Sequence, residues 1–345
     1  MSAHDDRTTN LPDTDTLTYL SGADVRAACA EIDPLACMHE TLVAHADGRT
    51  VLPPEAHLGW TPPDGGEARG VARPGLVQGA LTAAGTKIIS ANPANVARGL
   101  PRAGGLTVLF DPRTAHPLCV MEGAHISAVR TAAVSVLAAR RLVRPGARTA
   151  ALYGAGAVAR EHALMLARGL PGLEEIRVYD AVPGRVAQFE RDIGSELGAD
   201  EVKVTAAVDA RTAAHGADVV IACTSTRHAY VERSWLATGA LAVNVSLDDL
   251  TESVLTGADR LYVDDWDLIR DDPYRLLGRL LREGRVPLAD AATLGEMLTG
   301  ACPGRTGDDE LIVVNPFGLA VEDIALAHRV FRVARDLGLG TVLPR

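Results

Sequence analysis

A lysine, an arginine and a pair of aspartates in this 345-residue sequence are the side chains best placed to do chemistry together. Lys87 lies in an otherwise apolar stretch predicted to be a strand, so its amine either reaches the surface or enters a polar pocket. Arg130 lies in the opening turns of an Ala-rich helix. A guanidinium there can bind a carboxylate through two hydrogen bonds or form a surface ion pair. The residue types alone leave both roles open.

Asp248 and Asp249 follow an apolar strand predicted at 241–245. The carboxyl end of such a strand faces the ligand crevice of an open parallel sheet, where a carboxyl group can move protons to or from nitrogen. Aspartate also caps helices and turns at such positions. The ten histidines form no HExxH-type array, and we expect no metal site.

A glycine-rich turn is the most specific motif. An apolar strand predicted at 149–153 is followed by GAGAVA at 154–159 and then by a helix. Gly154 permits a tight turn, Gly156 lets a pyrophosphate approach the backbone, and Ala159 allows close packing of helix and strand. The helix N-terminus supplies free N–H groups to the phosphates. The pattern predicts a Rossmann-type dinucleotide-binding unit.

The second predicted strand of this unit ends at Asp180. A carboxylate there accepts hydrogen bonds from the ribose hydroxyls and repels a 2′-phosphate, which favours NAD over NADP. Arg185 follows closely and could soften that preference. Cys223, Thr224 and Ser225 end another predicted strand at the ligand edge, where they either border a ribose or cap a loop.

Hydrophobic periodicity predicts the elements that must position these residues. From 149 to 263, short apolar strands alternate with helical stretches, which is typical of a parallel sheet covered by helices. Upstream, the spacing of apolar residues predicts a helix over 23–47, the Pro/Gly-rich stretch at 53–79 predicts loops between short strands, and three strands are predicted at 81–89, 106–111 and 118–121. The last two are expected to form an antiparallel pair around the turn at 111–114.

The expected fold is therefore α/β, with a Rossmann-type doubly wound parallel sheet inserted into a split α+β substrate-binding and dimerisation domain. The predicted bounds are 1–125 plus 310–345 for the split domain and 126–309 for the NAD-binding domain. A strand at 311–314 and a helix near 320–337 are assigned to the split domain.

The amino-acid composition indicates which classes of binding partner the protein has. The net charge of −10 argues against nucleic acid or an anionic membrane as the main partner, although a pocket can still be locally positive. Five scattered cysteines include no CxxC pair, which fits a reducing cytoplasm. The opening MSAHDDRTTN shows no secretory signal, and no apolar run approaches the roughly 20 residues of a membrane span. We expect a cytoplasmic protein that acts on a small molecule.

Together these segments resemble the ornithine cyclodeaminase/mu-crystallin family from about residue 17 to 341. The matching stretches are GTKIISANP (85–93), HPLCVMEGAHISAVRTAAVSVLAARRL (116–142), LYGAGAVAR (152–160), ACTST (222–226) and AVNVSLDD (242–249). Carried over by position, Lys87 resembles the family's active-site lysine and Arg130 its carboxylate-binding arginine. Asp249, rather than Asp248, takes the acid/base position.

This sequence differs from the family pattern at one position, on an early strand, where family members commonly carry an arginine. His57-Leu58-Gly59 stands there instead, and Arg69 or Arg73 is close enough in sequence to replace it. The resemblance also implies further cofactor contacts, at Thr131, Ala157, Val158, Asn244, Val245, Ser246, Asn315 and Gly318.

VMEGAHISAVRTAAVSV, VDDW (263–266) and PGRTGDDELIVVNPFGLAVEDIA (303–325) resemble in particular the branch that oxidises N-(2-amino-2-carboxyethyl)-L-glutamate. This resemblance implies an NAD-using homodimer that forms L-2,3-diaminopropionate, 2-oxoglutarate and NADH. An ornithine or lysine cyclodeaminase, an imine reductase and a non-catalytic ligand-binding protein remain as alternatives.

Overall fold

The computed structural model describes residues 15–197, 202–286 and 291–345, and within them the strands form two eight-stranded sheets. The first sheet contains β1 (Thr16–Leu20), β2 (Thr50–Val51), β3 (Ala56–Trp60), β4 (Ala68–Val77), β5 (Ala83–Ala91), β6 (Ala103–Phe110), β7 (Pro117–Glu122) and β16 (Thr341–Pro344). The second contains β8 (Thr149–Tyr153), β9 (Glu175–Tyr179), β10 (Lys203–Ala206), β11 (Val219–Ala222), β12 (Leu241–Asn244), β13 (Arg260–Val263), β14 (Ala291–Thr293) and β15 (Ile312–Val314).

Helices cover both sheets. They are α1 (Gly22–Cys29), α2 (Pro34–Ala46), α3 (Ala124–Leu142), α4 (Ala157–Gly169), α5 (Arg185–Leu197), α6 (Ala210–Ala214), α7 (Glu252–Thr256), α8 (Trp266–Asp271), α9 (Leu276–Arg282), α10 (Leu294–Thr299) and α11 (Ala320–Asp336). No helix in the described part of the chain is both long and apolar enough to cross a membrane.

The second sheet has the order β10-β9-β8-β11-β12-β15-β13-β14, and every neighbouring pair is parallel. Strands β11, β12 and β15 are buried along their whole length, as expected for strands covered on both faces. The strand order reverses between β8 and β11, which creates a crevice at their carboxyl ends. The predicted α/β fold with a Rossmann-type parallel sheet is confirmed, and the first sheet takes its strands from before and after it, β1 to β7 and β16.

In the first sheet, β4 to β7 form an antiparallel meander, so the predicted pairing of β6 with β7 is confirmed. Cross-strand register places Lys87 opposite Arg73 on one side and Thr107 on the other. Helix α11 packs on this face of β4, β5 and β6. A side chain at Gly75 would meet Val321 at 3.0 Å, so glycine lets the helix approach closely.

Three expectations need correction. Strand β15 was assigned to the split domain, but it lies between β12 and β13 in the second sheet, so the boundary at 310 is wrong. Its continuous apolar run suits a central parallel strand. The single helical stretch expected over 23–47 is two helices, because Asp33 caps a new start and Pro34 opens it. The loops expected at 53–79 include the ten-residue strand β4.

Candidate active site

A cavity of about 1120 Å³ is lined by residues of both sheets. Lys87 and Ser127 line the part contributed by the first sheet and α3, while Gly156, Asp180 and Thr224 line the part at the carboxyl ends of the parallel strands. The crevice predicted from the strand order therefore opens directly onto the strand that carries the lysine.

The glycine turn has the backbone geometry that its sequence predicts. Gly154 has φ +95°, and a side chain there would meet the Cys223 carbonyl oxygen at 3.0 Å. Gly156 begins helix α4, and no atom lies within 4 Å of the position that its Cβ would occupy. The space in front of Gly156 is thus open to an approaching anion, whereas Gly154 is required by packing and conformation.

Asp180 lies immediately after β9 and lines the same cavity. Its carboxylate accepts hydrogen bonds from the Ala155 N–H at 2.9 Å and the Val182 N–H at 2.8 Å, which fix it beside the turn. Arg185 lies 3.7 Å from it and is partly exposed. This is the position from which an acidic residue can reach a ribose diol.

Lys87 lies at the floor of the cavity and is only 2% exposed. Its amine donates to the Asp323 carboxylate at 2.6 Å and to the Ser127 hydroxyl at 2.7 Å. Burial lowers the pKa of Lys87 to about 8, although Asp323 opposes that shift. The ammonium is therefore close to its titration range at neutral pH.

Arg130, which is expected to bind a substrate carboxylate, is not among the described residues that line the cavity. It pairs with Glu322 at 2.9 Å and Asp323 at 3.2 Å, and it is 7% exposed. Gly318 packs against its outer face, where an added side chain would meet a guanidinium nitrogen at 2.8 Å. Two buried carboxylates therefore hold Arg130. One of them, Asp323, also binds Lys87, so Arg130 helps to fix the partner of the lysine.

Asp249 is fully buried just behind the cavity wall. Its carboxylate accepts hydrogen bonds from the hydroxyls of Thr224, at 2.5 Å, and of Ser246 and Tyr230. Burial raises the pKa of Asp249 to about 6, against the hydrogen bonds from Thr224 and Tyr230 that lower it. Since Thr224 and Tyr230 both line the cavity, protons can reach Asp249 through these hydroxyls.

Asp248 has a structural role. Its carboxylate accepts a hydrogen bond from the Leu276 N–H at 2.7 Å and so caps the start of α9. The preference for Asp249 as the residue nearer the chemistry agrees with this placement.

The other predicted cofactor residues separate into two groups. Those bordering a cavity are Ala157, Val158, Arg185, Cys223, Thr224, Ser225, Val245 and Ser246. Those whose polar groups are used internally are Thr131, Asn244, Asn315 and Gly318. The Thr131 hydroxyl donates to the Ser127 carbonyl at 2.6 Å, Asn244 donates to Asn315 at 3.3 Å, and the Gly318 N–H donates to Asp264 at 2.5 Å.

The two arginines proposed to replace the missing one differ in placement. Arg69 lines the cavity and lies directly opposite Gly59 in the β3–β4 pair, so its side chain projects from the face where residue 59 would place one. Arg73 is buried, where it pairs with Glu55 and donates to the Gly318 carbonyl at 2.7 Å. Geometry therefore favours Arg69.

Sequence reasoning missed four residues of this site. Glu322 and Asp323 are adjacent acids inside an apolar stretch of α11, a pattern that signals buried charges needing partners. Ser127 and Tyr230 gave no such signal, because their importance depends on contacts with Lys87 and Asp249 from distant parts of the chain.

Comparison with known proteins agrees with this architecture. The N-((2S)-2-amino-2-carboxyethyl)-L-glutamate dehydrogenase of Staphylococcus aureus is 33% identical over 95% of this chain and 98% of its own. The crystal structure of CmnK superposes with a TM-score of 0.88 at 39% identity, covering 95% of this chain and 98% of that one. The Δ1-pyrroline-2-carboxylate reductase of Thermococcus litoralis, solved with NADH and L-proline, has a TM-score of 0.81 at 24% identity over 94% and 99%.

The match extends over most of the chain and includes every element that borders the cavity. Residues 39–337 match the ornithine cyclodeaminase/mu-crystallin family. This stretch contains the glycine turn, the buried lysine and the carboxyl ends of the parallel strands. The protein therefore belongs to the ornithine cyclodeaminase/mu-crystallin family.

Proposed function

We propose that the protein uses NAD to oxidise N-(2-amino-2-carboxyethyl)-L-glutamate or a close secondary-amine conjugate of amino acids. One observation carries this proposal: a single cavity joins an open glycine turn with its acidic partner, Asp180, to a buried lysine and a buried carboxyl group. The extent of similarity to the staphylococcal dehydrogenase supports the substrate class.

The overall reaction consumes the conjugate, NAD⁺ and water and yields L-2,3-diaminopropionate, 2-oxoglutarate, NADH and a proton. NAD, when bound, takes the hydrogen and two electrons from the carbon attached to the nitrogen. Lys87 orients a substrate carboxylate as an ammonium partner at the cavity floor. Asp249 accepts a proton, through Thr224 or Tyr230, from the water that attacks the C=N bond. The α-carbon of the glutamate part becomes the ketone carbon of 2-oxoglutarate. The nitrogen leaves as an amino group of L-2,3-diaminopropionate.

The direct test is incubation of the protein with NAD⁺ and this conjugate, with NADH followed by absorbance and products identified by mass. We expect one NADH for each 2-oxoglutarate formed. Ammonia release without net NADH would instead indicate cyclodeaminase chemistry, and tight ligand binding without turnover would indicate a binding protein.

We also propose a homodimer formed through the outer face of the first sheet. Ile88 and Leu106 are neighbours across β5 and β6 and remain 43% and 42% exposed on that face. Exposed apolar residues at the centre of a sheet favour a protein contact. Light scattering should give about twice the monomer mass, and a value for the monomer would reject this assembly.

Changing Gly156 to valine should strongly weaken NAD binding without unfolding the protein. The added side chain meets no protein atom, yet it fills the space through which a pyrophosphate reaches the backbone. We expect NAD to bind about 100-fold more weakly, which corresponds to about 2.7 kcal/mol. Gly154→Ala is the matched control. A side chain at this positive φ is strained and meets the Cys223 carbonyl, so we expect this variant to lower the melting temperature of the protein. Unchanged NAD affinity in G156V would contradict the assigned phosphate site.

Changing Asp180 to asparagine should weaken the preference for NAD over NADP by about tenfold, since it removes the negative charge that repels a 2′-phosphate. Arg185→Gln should shift the preference the opposite way, because it removes the nearby cation. The ratio of dissociation constants for NAD and NADP, measured for both variants, is the readout. If both variants shift this ratio in the same direction, neither residue faces the ribose.

A further inference from the structure

A second cavity of about 610 Å³ adjoins the main one. The two cavities share a wall made of Arg69, Ala91, Pro93, Arg102, Thr224 and Ser225. Because Thr224 also hydrogen-bonds to Asp249, the side cavity begins next to the proposed reaction centre. A group attached to the substrate a few bonds from the nitrogen can therefore enter it.

The side cavity is strongly positive within a chain whose net charge is −10. Its lining includes the arginines Arg69, Arg102, Arg227 and Arg275, and Glu67 is the one acidic residue among the described lining residues. Glu67 and Arg227 lie 3.7 Å apart, and their side chains are 84% and 64% exposed, so this pair belongs to the rim. Of the other three arginines, Arg275 is buried, while Arg69 and Arg102 line the cavity with side chains that remain partly exposed to solvent.

Arg69 and Arg102 have no carboxylate within 4.0 Å among the residues that the structure describes, unlike Arg73, Arg130, Arg144 and Arg260. Burial and the nearby charge of Arg69 lower the pKa of Arg102. Two guanidinium groups are therefore held close together without a protein anion between them. Such a pair is destabilising by itself and becomes favourable when an anion binds.

Arg275 forms the rigid back of the side cavity and is only 7% exposed. The carbonyl groups of Ser246, Pro316 and Phe317 each accept a hydrogen bond from it at 3.3 Å, and its guanidinium lies 5.1 Å from the Phe317 ring centre. Its Nε has no hydrogen-bond partner among the described residues, although Asp272 lies 3.5 Å away. A buried, oriented cation of this kind is typical of a built anion site.

We propose that the side cavity binds a substrate carboxylate remote from the reacting nitrogen, with Arg69 and Arg102 as the specificity-determining residues. This inference rests on the proposed function, and it makes the protein selective for conjugates with an additional carboxylate over simple amino acids. Gly59 lies opposite Arg69 in the β3–β4 pair, and no atom lies within 4 Å of the position that its Cβ would occupy, so the space beside Arg69 is open to a ligand. The same chemistry would bind the distal carboxylate of the product 2-oxoglutarate.

The test measures binding of two keto acids, 2-oxoglutarate and 2-oxobutyrate, to the full-length protein with NADH, by calorimetry. They differ in the distal carboxylate. We expect 2-oxoglutarate to bind about tenfold more tightly, as one charged hydrogen bond provides, and R69Q and R102Q to lose this advantage. Arg98→Gln is the matched control: Arg98 is exposed on the same β5–β6 connection but pairs with Asp64 and does not line either cavity.

Equal affinity of the wild type for both keto acids, or an advantage that survives in R69Q and R102Q, would overturn the side-cavity assignment. Loss of the advantage in R98Q as well would also overturn it, because a general charge effect would then be responsible. Failure of the proposed function is a separate result: the wild type would form no NADH from the conjugate while still preferring 2-oxoglutarate.

Discussion

Replacing Asp249 with asparagine should reduce kcat/KM by roughly 10²- to 10⁴-fold, the range expected for loss of a general acid or base. Asparagine keeps the shape of the side chain and can still accept from Thr224, but it cannot take up a proton. NAD affinity should stay unchanged, since Asp249 is buried behind the cavity wall and does not itself line the cavity. Steady-state kinetics with calorimetric titration of NAD separates the two effects.

The pH dependence sharpens this expectation. With a pKa of about 6, Asp249 accepts protons above that pH, so kcat/KM should fall as the pH drops below about 6. The stability of the folded protein should depend on pH in the opposite direction and be greater at low pH. Because the folded-state pKa is raised above the ordinary value of 3.8, the stabilising contribution is complete below pH 4 and is lost as pH rises through about 6.

D249N should therefore be more stable than the wild type at pH 8, by up to about 3 kcal/mol, and this difference should close near pH 4. Urea unfolding at the two pH values measures it. Asp248→Asn is the control, because Asp248 caps α9 and lies outside the proton path. A D249N enzyme with wild-type turnover would remove Asp249 from the mechanism, whatever its stability.

The cofactor half of the site was largely predictable because its signals are local. Gly154, Gly156 and Asp180 follow from turn conformation, close approach and strand length, each readable within about thirty residues. The fold followed from the same alternation of strands and helices. Strand β4 was missed because Gly70, Pro74 and Gly75 within it are typical of loops, although its pairing with β5 and the packing of α11 accommodate them.

For the substrate-binding part of the site, the sequence singles out candidate residues but does not give the contacts that their side chains make. Lys87 lines the cavity, whereas the contacts of Arg130 are with Glu322 and Asp323, which are distant in sequence. The sequence reveals that buried acids exist in α11 but not which cations they meet, because that depends on how α11 crosses the first sheet. Similarly, the different placements of Arg69 and Arg73 follow from strand register, which the sequence does not give.

Replacing Asp323 with asparagine should destabilise the protein by about 3–5 kcal/mol, the cost of leaving a buried charge without its partner. Asp323 contacts both Lys87 and Arg130, and all three side chains are buried. Burial alone would raise the pKa of Asp323, but Arg130 and Lys87 lower it, so its carboxylate is charged. Burial raises the pKa of its neighbour Glu322 to about 7, so Glu322 is only partly charged at neutral pH and cannot replace it.

Urea unfolding followed by fluorescence measures this loss, and Asp336→Asn, at an exposed position on the same helix, is the matched control. The double variant K87M/D323L should recover part of the stability, because an apolar pair of similar volume replaces the Lys87–Asp323 ion pair, while Arg130 keeps only its contact with Glu322. It should not recover activity, since the ammonium at the cavity floor is gone. This combination distinguishes a lysine kept for chemistry from one kept for folding. A D323N protein that unfolds within about 1 kcal/mol of the wild type would show that the network contributes little and that Lys87 does not depend on Asp323 for its charge.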